Sequence, residues 1–431
     1  MTYESRQPIA RRAASFMCLS LSLLVSVQTL SADEAIPLTM AKAAELALAS
    51  DPVVAASVSR AEALEADAVA DSQLPDPKFR TGLYNVPLDD FDLGKTPTTQ
   101  WRLGVLQSFP RGDTLEYKSL KTKSQSRAER FRAEAEKRKI LRDVRKTYLD
   151  AYYQVAAEKI IRGSRKLFEN LTEITQVQYG SGGSSQQDVL RAELELSRLD
   201  DRINKVQMME DSARARLSKW IGEAAWQPLD NVLPKIPEPP SEKQLAEALE
   251  QHPEIDQQTA KVEMWKQNID IAREQYKPGW SVGAEYRKRF GDNPDGSNRE
   301  DMAAVMLTVD MPVFTDKRQD KRLSASQKRA SAASLDRVNT MRKLRERLTL
   351  AEANRKRLNE RLERYERRLL NEAEENADSA LQAYQSGTIE FTGLMRARIT
   401  ELEIHIQALK LRVELMKTKA DLLYLAAGEE K

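Results

Sequence analysis

The sequence predicts a mainly α protein with a membrane β-barrel portion, built from duplicated long-helix hairpins with four short β-strands per chain. Three observations predict it. Val313 to Ser386 holds neither Gly nor Pro, and Asp113 to Tyr179 holds only Gly163. The two halves of the chain repeat the same landmarks in the same order. Each half also carries a pair of short runs that alternate between apolar and polar residues.

Composition supports the helices. Of 431 residues, 31% are charged and only 6% aromatic, with 16 Gly and 17 Pro. A mix rich in Ala, Glu, Lys, Leu and Arg suits long helices better than an α/β enzyme. Lys and Arg number 68 against 66 Asp and Glu. Such a balance does not mark a nucleic-acid binder. One cysteine (Cys18) and two histidines (His252 and His405) exclude a Cys-rich zinc site, a disulfide framework and a papain-like nucleophile. Neither a phosphate loop, a nucleophile elbow nor a spaced carboxylate pair is present, so no enzyme, no catalytic residue, no cofactor and no metal ligand is expected.

Residues 1–32 read as a secretory signal peptide. Arg6, Arg11 and Arg12 precede the apolar run from Ala13 to Val27, and Ser31-Ala32 offers a small-residue cleavage site. The run is shorter than the roughly 20 residues of a spanning helix. Cys18 would leave with it. Losing Arg6, Arg11, Arg12 and Glu4 would leave 65 basic and 65 acidic residues, a formally neutral chain.

The duplication spans the rest. Asp51-Pro52 matches His252-Pro253 at an offset of 201, Phe109-Pro110 matches Met311-Pro312 at 202, and Gly182 with Arg191-Ala192 matches Gly387 with Arg396-Ala397 at 205. The expected first repeat is 33–227: a helix over 39–73, a β-hairpin over 79–108, a long helix over 113–179 and a return helix over 186–220. Five prolines at 228, 234, 237, 239 and 240 make 228–240 an extended connector. The second repeat is 241–427: a helix over 241–276, a hairpin over 280–311, a long helix over 315–385 and a return helix over 388–426.

Helices of that length span on the order of 100 Å. Leu344, Ala351, Leu358 and Tyr365 recur every seven residues, with Leu348, Leu362 and Leu369 in the alternate set, which Arg355 interrupts. In the first half Ile140, Val144, Ala151 and Val155, with Leu141, Tyr148 and Tyr152, repeat at three- and four-residue steps. Both patterns are seams of helices packed nearly parallel.

In the hairpins, Trp280, Val282, Ala284 and Tyr286 alternate with Ser281, Gly283, Glu285 and Arg287. One reading is a pair of water-exposed hairpins packed on helices. The other is lipid: strands of about 9 to 11 residues with one apolar face fit a membrane barrel. Trp280, Trp101, Phe109 and Tyr84 would then form its aromatic girdles. Four strands are too few to close a barrel, which takes about eight, and open edges do not face lipid. Several chains would have to share one barrel, and a trimer would supply 12 strands.

The chain resembles the TolC-like outer-membrane efflux family. The likeness rests on the duplicated helix–Pro–hairpin–Pro–long-helix order, on Asp51-Pro52 and His252-Pro253, and on two helix-tip turns. Those are Tyr179-Gly-Ser-Gly182 before Asp188-Val-Leu-Arg-Ala192, and Tyr384-Gln-Ser-Gly387 before Leu394-Met-Arg-Ala397. The resemblance implies a homotrimer with a 12-stranded barrel in outer-membrane lipid and an α-helical barrel in the periplasm. It implies, as partners, a periplasmic adaptor protein and an inner-membrane efflux pump. Leu74-Pro-Asp-Pro77, Asn85-Val-Pro87 and Gln107-Ser-Phe-Pro-Arg-Gly112 look most like the heavy-metal branch. The family's tunnel closes at the periplasmic tip, where acidic rings line the constriction. The gate residues it implies are therefore Asp188, Arg396, Tyr179, Gly182, Tyr384 and Gly387. Gly393 and Arg396 depart from the family's acids, and Asp188 also suits the start of the return helix. His252 is expected on the surface or as a helix cap, and His405 as a packed or exposed helical residue. A periplasmic adaptor or a structural coiled-coil protein of the envelope are the competing readings.

Overall fold

A computed structural model describes residues 37–49 and 51–426. The predicted signal peptide lies outside the described residues. In chain order the elements are α1 (Met40–Ala49), α2 (Pro52–Asp71), β1 (Lys78–Tyr84), β2 (Gln100–Phe109), α3 (Thr114–Gly180) and α4 (Gln186–Ile221). There follow α5 (Glu242–Ala248), α6 (Pro253–Glu274), β3 (Gly279–Arg289), β4 (Met302–Asp310), α7 (Gln319–Arg364), α8 (Leu370–Gln385) and α9 (Phe391–Leu425). A π-turn, Tyr365–Leu369, joins α7 to α8.

The expected helix over 39–73 is two helices. Pro52 has no N–H to continue α1, so it opens α2 at the first helical position, where that donor is not needed. Asp51 caps the new start: its Oδ1 accepts from the N–H groups of Val53 at 2.8 Å and Val54 at 3.2 Å. The second half does the same with another chemistry. His252 precedes Pro253, and its Nδ1 accepts from the Glu254 N–H at 3.2 Å. His252 is thus a cap, but not a surface residue; it is fully buried.

The long helix of the second half starts at Gln319 rather than 315, because the Thr315 carbonyl closes a turn on the N–H groups of Arg318 and Asp320. The return helix starts at Phe391 rather than 388, because Thr388 and Ile389 donate back to the Ala383 carbonyl.

The first core lies where α3 packs on α1, α4 and α9, around Val144, Tyr148, Leu149, Ile161, Leu217 and Leu394. A second gathers Leu245, Leu249, Ile255, Leu344, Leu348 and Leu422. The heptad seam is buried at Leu344, Leu348 and Ala351 but only half-buried at Leu358, Leu362, Tyr365 and Leu369. The proline-rich connector is anchored rather than free. Leu38 donates to the Pro228 carbonyl at 2.8 Å, Tyr148 donates its hydroxyl hydrogen to the Leu38 carbonyl at 2.6 Å, and Leu229 and Ile236 are buried.

The four strands form one antiparallel sheet in the order β1-β2-β3-β4, leaving β1 and β4 as free edges within the chain. No described helix is long and apolar enough to cross a membrane.

Candidate functional site

Two places stand out chemically: the sheet and the helix tips.

The sheet register sorts every strand residue onto one of two faces. Phe79 pairs with Val105, Val105 with Ala284, and Ala284 with Val305. Leu103 pairs with Tyr286, Gln107 with Val282, and Val282 with Leu307. Successive residues of a strand point to opposite faces, so these apolar residues share one face. It is a face without cover: Val305 is 81% exposed, Phe79 76% and Leu307 67%. An exposed apolar patch of this extent marks contact with lipid or another chain. The polar atoms on it find partners. Trp101 donates from Nε1 to Thr81 Oγ1 at 2.9 Å, and Gln107 donates from Nε2 to the Pro75 carbonyl at 2.8 Å.

The opposite face is polar, with Arg80, Arg102, Ser108, Ser281, Glu285 and Arg287 among its residues. Apolar outside and polar inside is the arrangement of a barrel whose lumen is wet. At the helical end Phe109 and Trp280 stack on the apolar face, ring centres 4.1 Å apart and planes 13° from parallel. Tyr84 departs from the expected girdle. It lies on the polar face, its ring 4.1 Å below the Arg102 guanidinium, because it shares the parity of Arg80 and Gly82.

Sheet and helices meet in a polar knot. Glu274 is buried; its Oε2 accepts from the Asp113 N–H at 2.7 Å and pairs with Lys277 at 2.7 Å. Arg111 donates from Nη1 to the Gln275 carbonyl at 2.7 Å. Gly112 between them has φ +45°, and a Cβ there would stand 1.8 Å from Glu274 Oε2. Gln107, Arg111 and Gly112 belong to the stretch that suggested the heavy-metal branch, and here they join the sheet to the helices.

The two tips share a backbone and differ in side chains. At the first, Gly183 N–H donates to the Gln178 carbonyl at 2.7 Å, with Gly182 at φ +78°. At the second, Thr388 N–H donates to the Ala383 carbonyl at 2.8 Å, with Gly387 at φ +72°. Both are Schellman closures with glycine in the left-handed region, where other residues are strained.

Past the first turn Ser185 and Asp188 form a capping box. The Asp188 N–H donates to Ser185 Oγ at 3.2 Å, while the Ser185 N–H donates to Asp188 Oδ2 at 3.2 Å. Past the second turn Gly393 stands at the place of Asp188, and the fastening is aromatic. Phe391 is buried, edge-on to Tyr384 with ring centres 5.6 Å apart. Arg396 is exposed on α9, and no hydrogen bond or ion pair joins it to Asp188 among the described residues. Tyr179 is half exposed on the last turn of α3.

Two further residues matter at the tips. Gln178 receives the Tyr384 hydroxyl hydrogen at 2.6 Å. Arg398 is buried and pairs with Asp378 at 2.8 Å and Glu401 at 2.9 Å. Spacing gives a hint of Arg398, which stands four residues after Leu394 and four before Leu402 on a buried face. Nothing in the sequence singles out Gln178. Among the described residues, no group of three or more His, Cys, Asp or Glu side chains converges to hold a metal ion.

A two-faced sheet with two open edges, carried on helices of up to about 100 Å, is an architecture that fits an outer-membrane channel. The comparisons agree. Residues 245–429 match the family model described as outer membrane efflux protein. The described fold resembles CusC at 18% identity and a TM-score of 0.76, over 90% of this chain and 92% of that one. It resembles the outer membrane protein VceC of Vibrio cholerae at 17% identity and 0.76, over 91% and 97%. It resembles the MtrE outer membrane channel of Neisseria gonorrhoeae at 15% identity and 0.74, over 90% and 88%. No curated protein matches the chain. The second half of the chain thus matches the outer membrane efflux protein model, and the described fold as a whole is that of these channels. Solved structures of this fold include outer membrane channels such as OprN, at 17% identity and a TM-score of 0.75.

Proposed function

We propose that the protein is the exit duct of a tripartite efflux system, closed as a homotrimer. Three copies would pair β1 of one sheet with β4 of the next and complete a 12-stranded barrel. The observation that carries this reading is the two-faced sheet: apolar residues are exposed on one side, polar residues lie on the other, and both edges stay unpaired within the chain. The half-buried stretch from Leu358 to Leu369 supports it, since neighbouring copies would cover that seam. The duct would be passive, receiving substrate from an inner-membrane pump through a periplasmic adaptor that docks on the helical portion.

The gate would lie at the tips formed by Tyr179, Gly182, Asp188, Tyr384, Gly387 and Arg396. Asp188 has a structural duty in the capping box and, half-buried, keeps one side toward solvent. In a trimer it would form a ring that attracts cations, offset by Arg396.

Membrane fractionation and bilayer recording of the purified protein test the duct. Outer-membrane trimers with discrete conductance are expected, and a monomer without pores would sink the reading. For the gate, Asp188→Ala should lower the sensitivity of the conductance to block by divalent cations. Unchanged block removes Asp188 from the gate and leaves it as a cap.

A further inference from the structure

We infer that the β portion of this duct is a cationic belt that favours anions in transit, an inference that rests on the polar face of the sheet being the lumen. On that face stand Lys78 and Arg80 of β1, Arg102 of β2, and Arg287 and Arg289 of β3. Only Glu285 and Asp310 oppose them. The register sets Arg102 directly opposite Arg287 and places Arg80 and Glu285 in the next row, on either side of Gly104. Arg289 lies one row to the other side, opposite Gln100. Same-face rows along a strand are about 7 Å apart. Four guanidinium groups per chain therefore fall within roughly two Debye lengths at physiological salt, and a threefold repeat would turn them into rings.

The single acid inside this group is already committed. Glu285 takes Arg287 Nε at 2.5 Å and faces Arg102 Nε at 3.8 Å. One carboxylate between two guanidiniums leaves a positive surplus. Arg80 and Lys78 are exposed and form no ion pair among the described residues, and Arg289 spends one donor on the neutral Pro97 carbonyl at 3.0 Å. β4 adds no charge near the belt; Met302, Ala304, Met306 and Thr308 complete its side of that face, and Asp310 sits at the far end. The acids of the hairpin loops (Asp89, Asp90, Asp92, Asp292, Asp295, Glu300 and Asp301) lie beyond the strand ends, so they rim the belt rather than neutralise it. Asp90 is held by Lys95 at 2.5 Å, and Asp301 accepts from the Tyr286 hydroxyl.

Rings of Arg and Lys select anions, and a guanidinium matches carboxylate and phosphate-like oxyanions in two-point contact. The belt disfavours free metal cations, which sets it against the heavy-metal export suggested by the loop motifs. The solute class it fits is small anions, inorganic or organic.

Reversal potentials in planar bilayers under a KCl gradient test the belt. The double variant Arg80→Gln, Arg287→Gln should lower the chloride-to-potassium permeability ratio by about threefold or more. Arg80→Gln alone, at an exposed residue without an ion pair among the described residues, should move the ratio the same way without touching the fold. Glu285→Gln should raise it. Lys288→Gln is the control, since Lys288 neighbours Arg287 in sequence but points to the apolar face. A ratio unmoved by the two arginine substitutions, or moved equally by Lys288→Gln, overturns the belt while the duct stands. Correctly located trimers that form no pore overturn the duct itself, and the belt with it.

Discussion

Tyr384 donates its hydroxyl hydrogen to Oε1 of Gln178 at 2.6 Å, tying the last turn of α8 to the last turn of α3. The two halves of the duplication are therefore fastened to each other at their tips by a bond that neither half could make alone. A hydroxyl-to-amide bond of this kind contributes on the order of 1 kcal/mol net, small enough to be broken by a partner or by thermal motion.

Tyr384→Phe keeps the ring against Phe391 and removes the bond. Single-channel recordings should show longer or more frequent openings, with little change in melting temperature. Gln178→Ala should do the same, and the double variant should add nothing, because both remove one interaction. Additive effects would show that the two residues act separately.

His252 should make stability pH-dependent. Burial holds its imidazole below the ordinary 6.5, against the opposing pull of Glu254; Arg138 and Arg347 add to the lowering. Since Nδ1 accepts from Glu254 N–H, Nε2 carries the proton and faces the Tyr424 carbonyl at 3.2 Å. The folded state keeps the neutral form, while the unfolded chain takes up a proton near 6.5. Stability is thus full above that pH and falls as pH drops toward the lower folded value. Melting curves between pH 8 and pH 5 should show this loss, and His252→Asn, which keeps a cap, should flatten it.

Gly112→Ala should cost more than a typical surface change, on the order of 2 kcal/mol or more, because φ is positive and the new Cβ meets Glu274. The readout is thermal unfolding in detergent. Because the knot joins sheet to helices, the yield of assembled protein should fall with it.

Gly163→Ala should act in the opposite direction. Gly163 is in the interior of α3, and nothing lies within 4 Å of where its Cβ would be. Ala there gains helix propensity of about 0.5–1 kcal/mol with no clash. A raised melting temperature is expected; a lowered one would show that another contact uses the open space.

The long helices are legible in the sequence because Gly and Pro interrupt helices and are absent there. The strands are legible because alternation of period two has no helical counterpart. Other features leave no such trace. No breaker residue marks the π-turn from Tyr365 to Leu369, whose one extra residue per turn is a matter of backbone bonding. His252 before a proline reads as a cap, and it is one, yet its burial comes from Tyr424 far along the chain. Leu229 and Ile236 are lone apolar residues in a proline-rich stretch, so only packing shows that the connector is fixed. At the tips, Gly182 and Gly387 announce their turns, whereas the Tyr384–Gln178 bond depends on how two distant helix ends meet.

The first residues of α3 and α7, Thr114 and Gln319, are 205 positions apart, and so are Gly180 and Gln385, where the two long stretches end. Both stretches therefore have the 67 residues of α3, although one contains a π-turn and the other does not. The bond between their tips is made at these matched lengths. Losing or gaining a few residues in one long helix would slide its tip along its neighbour by about 1.5 Å per residue and pull Tyr384 away from Gln178. Length changes in this chain should be tolerated in matched pairs, like links removed from both runs of a ladder chain, and rarely singly.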